Sequence, residues 1–501
     1  MRFKVIISAL LALAVTAVAG AEPKKEKKSH CEKPGTECRG PKAPRYIFYF
    51  IGDGMGLPHV INTTWYKAQC LGQDTSLVMT SMPVFSMAKT YSASSPVTDS
   101  AAAGTALSTG VKTRNGMLGM NPDTTAVTSI AKVLFDRGWG VGVLTSVDLD
   151  DATPGAFYAH VDNRSKRYEI TRQLAESGYQ FAAGQRLGGL DGKDGKLNDN
   201  VDYMAASGVK LAFGREGLQE QADRLVVVNK DNAQGYYVVD SLPDVLTLPE
   251  MTRACIRQLE RTSPDRWFMM VEGGKIDHAA HNNEGGTVIR EVLAFDECIG
   301  IARDWMLAHP DETLIVITAD HETGGMSVGN TTTSYNVFPE KTAGQRMSKD
   351  AFNEEIKAML RSRRIYGWDD MEQILRDRLG WWSSFTPTDE EVAQVRKDFE
   401  EMMAGRNQGD QVTLYGQYTP LTKTVFDIMN NESGLGFVTT KHTGSPVPVF
   451  AAGVGASRFS NMNNNIDLPR SPKRNGPKWS TSPNGTRSST TSTPPENSAN
   501  G

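Results

Sequence analysis

The chain has 501 residues, with 54 Lys and Arg against 58 Asp and Glu and a formal net charge of −4 at pH 7. That length buries one large core or two ordinary ones, and the slightly acidic balance gives no sign of a nucleic-acid binder, which normally shows a basic face or stripe. With 39% apolar and 22% charged residues, the composition is that of a soluble globular protein.

Arg2 and Lys4 precede an apolar run, Val5 to Ala19, that ends in the small residues Ala17-Val18-Ala19-Gly20-Ala21. The pattern predicts a signal peptide over residues 1–21 and hence an exported protein, periplasmic or secreted. The run is short for a membrane span and no later segment is long and apolar enough, so no span is expected in the mature chain. Residues 22–44, charged and Pro-containing, read as a flexible lead-in. Cys31 and Cys38 could close a small loop there. Cys70, Cys255 and Cys298 leave an odd number, so at least one thiol is free or pairs between chains. No Cys-x-x-Cys pair occurs, which argues against a thiolate zinc site.

Arg45 to Ile51 is an aromatic and β-branched run that predicts a buried strand, ending in the tight loop Gly52-Asp53-Gly54-Met55-Gly56. At Val97 to Ala106 an extended segment gives way to small helix formers, with Ser100 at the junction. Asp99 or Thr98 can cap that helix, and the N–H groups of its first turn favour an anion beside Ser100. Residues 124–137 carry Val127, Ile130, Ala131 and Leu134 at helical spacing. The strand-like Val141 to Thr145 leads to Asp150-Asp151-Ala152-Thr153-Pro154. Arg266 to Val271 leads to Glu272-Gly273-Gly274, residues 285–307 read as a helix, and Thr313 to Thr318 leads to Asp320-His321-Glu322.

Apolar strands alternating with amphipathic helices predict an α/β fold, a largely parallel central sheet with helices on both faces. Ligand sites in such sheets lie beyond the carboxyl ends of the strands, which is where Asp53, Asp151, Glu272, Asp320 and His321 fall. A helical insertion over residues 331–430 interrupts a domain made of 45–330 and 431–469. It contains Trp381-Trp382 and the aromatic segment Tyr415 to Tyr418, and reads as a subdomain over the site, an interface or a structural elaboration. Val447 to Gly453 reads as a late strand. Residues 470–501, rich in Ser, Thr, Pro, Asn and Gly without apolar periodicity, predict a disordered tail.

Asp277 and His281 lie four apart, on one face of a helical turn, and His442 could join them around a cation. Asp320 and His321, adjacent, could form a second set with Asp53 and Ser100. Nitrogen and carboxylate donors without thiolate suit zinc. Glu272, Thr153 and Asp53 offer only oxygen, which suits magnesium.

Six segments taken together resemble the alkaline phosphatase family, in that family's order over residues 45–456: Phe50 to Gly56, Thr98 to Ala106, Asp151 to Pro154, Val271 to His281, Thr318 to Glu322 and His442-Thr443-Gly444. The resemblance implies that Ser100 is a nucleophile that becomes phosphoserine. It implies one zinc on Asp277, His281 and His442, and a second on Asp53, Asp320 and His321. It places a magnesium on Glu272 and Thr153, bridged by Asp53 with Asp151 nearby, and Arg164 as a fork on two phosphate oxygens. Two cations about 4 Å apart would clamp both ends of an in-line transfer. His278 beside Asp151 leaves the third site open between magnesium and zinc. The implied partners are small-molecule phosphomonoesters and inorganic phosphate; a homodimer is common in the family, but the sequence shows no interface signature for one. The alternatives are a phosphodiesterase or sulfatase of the same superfamily, and a non-catalytic phosphate- or metal-binding protein.

Overall fold

The computed structural model describes residues 43–470 apart from 73–75, 193–195 and 407–408. Residues 1–21, expected from the sequence to be a signal peptide, nearly all of the expected lead-in with Cys31 and Cys38, and all but the first residue of the expected tail lie outside the described residues. No helix among the described residues is long and apolar enough to cross a membrane.

The sheet is built around β1 (Tyr46–Ile51), which pairs in parallel with β7 (Trp267–Glu272) on one side and β8 (Thr313–Thr318) on the other. Successive side chains on a strand face opposite ways, and both sides of β1 are covered. The Tyr49 hydroxyl donates to the Leu107 carbonyl in the helix Ser100–Thr109, and its ring meets Phe157. Phe50, on the opposite face, meets Phe295 of the helix Gly285–Ala308 edge-on at 5.7 Å. Helices therefore lie on both faces, and strands such as β7 and β3 (Gly140–Thr145) are buried along their whole length. Phe295→Ala removes a buried aromatic from this contact and is expected to lower unfolding stability by about 3–5 kcal/mol, read as a shift of the urea midpoint. A shift below about 1 kcal/mol would show that the helix repacks.

Outward from β7 the order is β3, β4 (Phe181–Ala183), β6 (Leu225–Val228) and β5 (Lys210–Phe213). Outward from β8 it is the strand Val447–Gly453 and then β2 (Val84–Ala88). Periodicity does not mark β2, β4, β5 or β6, because three to five residues are too few for alternation to stand out. The Val447–Gly453 strand pairs antiparallel with both neighbours and is the one strand of the sheet running against the rest.

The helix expected over 124–137 is shorter and runs Ile130–Phe135. Its start is fixed by Ser129, whose hydroxyl accepts from the Lys132 N–H. Before it, Asn121 to Thr125 forms a turn with Thr124 at φ 72°, a conformation no helix interior adopts.

A second apolar cluster, separate from the core around the sheet, joins the helices Lys349–Arg361, Trp368–Leu379, Asp389–Met403 and Pro420–Ser433 through Phe352, Leu375, Trp381, Phe399 and Phe426. Cys70, Cys255 and Cys298 are free thiols.

Candidate active site

The parallel register brings Ile51 level with both Glu272 and Thr318, and Thr145 level with Glu272. The loops that leave these strands therefore open on one edge of the sheet. Gly54, at φ 70°, turns the first of them. A Cβ there would lie 2.8 Å from Thr323 Oγ1 and 2.9 Å from the Asp277 Cα, so only glycine allows these loops to meet. The Gly54 N–H and the His321 N–H both donate to Asp320 Oδ1, which holds that carboxylate in one orientation.

Ser100 is the first residue of its helix, and Asp99 rather than Thr98 provides the cap. Asp99 Oδ1 accepts from the Ala102 N–H and Oδ2 from the Gly116 N–H, both at 2.9 Å. The run of small residues lets this helix be buried along nearly its whole length. At Gly104 a Cβ would stand 3.1 Å from the Thr153 Cα, and this close approach packs the Ser100 helix against the turn that carries Thr153.

Two groups of three potential ligands form among the described residues, Asp277–His281–His442 and Asp53–Asp320–His321, with donor atoms within 4.8 Å of one another. Ser100 Oγ lies 3.2 Å from His321 Nε2, which is itself 3.3 Å from Asp53 Oδ1 and 3.2 Å from Asp320 Oδ2. In the other group His281 Nε2 is 3.4 Å and His442 Nε2 3.6 Å from Asp277 Oδ1. The rings of His321 and His442 stack at 3.6 Å and join the two groups.

Both groups fit a bound cation. His281 Nδ1 faces the Thr440 carbonyl at 2.7 Å and His442 Nδ1 the Thr98 carbonyl at 2.8 Å. An N–H on each Nδ1 leaves the Nε2 lone pairs pointing inward. Those two Nε2 atoms are 2.9 Å apart, and two facing lone pairs repel unless a proton or cation lies by them. Asp53 Oδ1 and Asp320 Oδ2 are buried and accept no hydrogen bond, a costly state for carboxylate oxygens without a cation.

The electrostatics follow. Burial, and then the neighbouring Asp320 and Asp277, push the Asp53 carboxyl well above its usual range. Burial and Asp277 raise Asp320 to about 6. Burial also raises Asp277, but the imidazoles of His281, His442 and His321 outweigh it and hold that carboxyl low. Burial and the His442 ring press His321 toward its neutral form.

Glu272 gathers separately, accepting from Thr145 Oγ1 with Thr153 beside it, and burial pushes its carboxyl up to about 8. Asp151 caps the short helix Ala152–Gly155 and is engaged by two arginines. Arg164 Nη2 donates to it at 2.8 Å, and Arg167 Nη2 lies 3.3 Å away. Burial raises the Asp151 carboxyl, but Arg164 and Arg167 bring it below the normal range. The guanidinium of Arg164 is also 3.6 Å from Asp99, the residue before Ser100.

Three contributors are not among the site residues expected from the sequence. Thr323 Oγ1 donates to Asp277 Oδ1, two residues past His321, where alternation along a strand could have marked it. Arg167 braces Asp148 and Asp150 as well as Asp151. Tyr415, from the insertion, donates its hydroxyl to Asp277 Oδ2 at 3.2 Å.

A serine at a capped helix N-terminus, beside two largely buried carboxylate–imidazole groups at the carboxyl edge of a mostly parallel sheet, is the arrangement of a metal-dependent hydrolase. The family model described as alkaline phosphatase matches residues 45–189 and 213–473. Alkaline phosphatase 4 of Bacillus subtilis (strain 168) is 26% identical over 471 residues, 92% of this chain and 94% of that one. Among solved structures, the cold-active alkaline phosphatase of the psychrophile Shewanella sp. superposes with a TM-score of 0.71 at 25% identity, covering 84% of this chain and 97% of its own. The Thermus thermophilus alkaline phosphatase gives 0.69 at 26% identity, covering 85% and 90%. The chain belongs to the alkaline phosphatase family and is a phosphomonoesterase.

Proposed function

We propose that the chain hydrolyses phosphate monoesters through a phosphoserine on Ser100, at a site holding two zinc ions and one magnesium. The observation that carries this reading is the placement of Ser100 Oγ, 3.2 Å from His321 Nε2 and at the N-terminus of a buried, Asp99-capped helix. Asp277, His281 and His442 would hold the first zinc and Asp53, Asp320 and His321 the second. The oxygen donors Glu272 and Thr153, with Asp53 between the sites, suit magnesium. When bound, these cations lower the charge of the crevice and stabilise oxyanions at both ends of the transferred phosphoryl group.

The chain's own groups do the rest. The helix N-terminus and the Arg164 fork draw the phosphate dianion in and hold its equatorial oxygens. Ser100 loses its proton to solvent and its Oγ forms a bond to phosphorus as the P–O bond to the alcohol breaks. The alcohol leaves with a proton from water. A water molecule then adds to the phosphoserine, the Ser100 Oγ–P bond breaks, Ser100 regains its proton and inorganic phosphate departs. Asp151 and Asp99 keep Arg164 aimed at the helix N-terminus throughout.

A fork that grips two unesterified oxygens favours a monoester over a diester. The test is turnover of a chromogenic monoester and its matching diester. The monoester is expected to be strongly preferred, and Arg164→Ala to cost it about 10- to 100-fold in kcat/KM, the loss of one or two charge-assisted hydrogen bonds, with little effect on the diester. A diester preference in the wild type would move the chain to the sister branch. Export, with residues 1–21 removed, belongs to the same proposal, and cell fractionation with N-terminal sequencing of the product tests it.

A further inference from the structure

The helix Lys275–His281 supplies two ligands of the first group, Asp277 and His281. The turn that follows it is gripped by the insertion. Lys349 Nζ, wholly buried, donates to the Asn282 carbonyl at 2.9 Å, and Thr413 Oγ1 donates to Asn282 Oδ1 at 2.8 Å. Glu284 accepts from the Lys349 N–H at 2.8 Å and from Gln345 Nε2 at 2.9 Å. Buried polar contacts of this kind have demanding geometry and are costly to break, so the insertion and the ligand helix hold a fixed register.

That register delivers Tyr415 to the ligands. Its ring lies flat on His278, with centroids 3.7 Å apart and planes 21° from parallel, and meets His281 edge-on at 5.2 Å. Its hydroxyl donates to Asp277 Oδ2, while Thr323 donates to Oδ1. Oδ1 is the oxygen that faces the Nε2 atoms of His281 and His442. The two hydroxyls therefore hold the carboxylate from both sides, with Oδ1 turned to the place a cation would take.

We propose that Tyr415, carried by the insertion, is a positioning residue for the first cation site: its hydroxyl orients the Asp277 carboxylate and its ring steadies His278 and His281. The inference rests on the zinc reading given above. A carboxylate with one oxygen untethered turns about its terminal torsion, which is broad and roughly two-fold. It then has to be ordered when the cation arrives. Groups that orient a ligand in this way typically account for about 10- to 100-fold in metal affinity. The insertion is thus a working part of the metal centre, although it contributes no ligand.

The test compares metal-free wild type with Tyr415→Phe and Tyr418→Phe, titrating each with zinc against a chromophoric chelator. Phenylalanine keeps the ring and its stacking and deletes only the hydroxyl. Tyr418 is the control. It lies three residues away, its buried hydroxyl donates to Asp350, and it lines with Tyr415 a cavity of about 420 Å³. Tyr415→Phe is expected to weaken one of two zinc ions by about 10- to 100-fold and leave the other unchanged, with turnover recovering at saturating zinc. Tyr418→Phe is expected to bind both as the wild type does. Wild-type zinc affinity in Tyr415→Phe would overturn the proposal, and equal weakening in both variants would reduce Tyr415 to packing. A wild type that binds no zinc would instead overturn the metal reading itself, and the positioning role with it.

Discussion

Removal of divalent cations is expected to take monoester turnover to background, with zinc restoring it and magnesium raising it further. The reason is charge. Asp53, Asp277, Asp320 and Glu272 are all buried at the edge of the sheet where a phosphate dianion has to sit, and Asp277, held low by its imidazole neighbours, stays ionised there while the others gain charge as the pH rises. Two like charges 4 Å apart near a protein surface repel by about 4 kcal/mol, which alone is about a thousandfold in binding. Arg164 offers a positive charge, but Asp151 and Asp99 already engage it. The compensating charge has to come from cations held on the two ligand groups. The check is turnover of a chromogenic monoester after chelation, then with zinc, magnesium or both returned. Turnover that survives chelation, or that returns fully with magnesium alone, would contradict the assignment of zinc to the imidazole-containing groups.

Ser100→Ala is expected to lower monoester turnover by at least about a thousandfold, or some 4 kcal/mol in the barrier, while leaving the fold intact. Alanine is a strong helix former, Ala101 to Ala103 already occupy the next positions, and the Asp99 cap bonds to the Ala102 and Gly116 backbone rather than to Ser100. The phosphate-binding groups also remain, so the residual rate reports what orientation and charge achieve without a covalent step. Acid quenching during turnover of a labelled monoester is expected to leave phosphate on the wild-type protein and none on the variant. A variant that still carries the label would place the nucleophile elsewhere. Undiminished turnover would return the serine to a plain helix start.

Much of the scaffold is legible from local sequence. The strands Tyr46–Ile51, Thr313–Thr318 and Val447–Gly453 announce themselves as β-branched and aromatic runs bounded by turn residues. The helix Gly285–Ala308 shows its helical spacing over six turns. The pairing of Asp277 with His281 follows from the helical repeat alone. Short elements are not legible in this way. The helix Ile130–Phe135 is cut back by a turn at Asn121 to Thr125 that apolar spacing does not register.

The sequence by itself determined which chemical groups the protein has at its loops: a serine at a helix start, carboxylates after four strands, and an aspartate and histidine one helical turn apart. Each of these depends on the backbone geometry of a few adjacent residues. Only the tertiary structure decided which of them meet. Tyr415 reaches Asp277 across 138 residues, and the His442 Nδ1 contact with the Thr98 carbonyl spans 344. The parallel register sets Glu272 level with Ile51 and Thr145, and Arg164 is held on Asp151 beside the Ser100 helix. Such contacts are fixed by burial and packing summed over the whole sheet and by close approaches such as Gly54 and Gly104, which no short window of sequence contains.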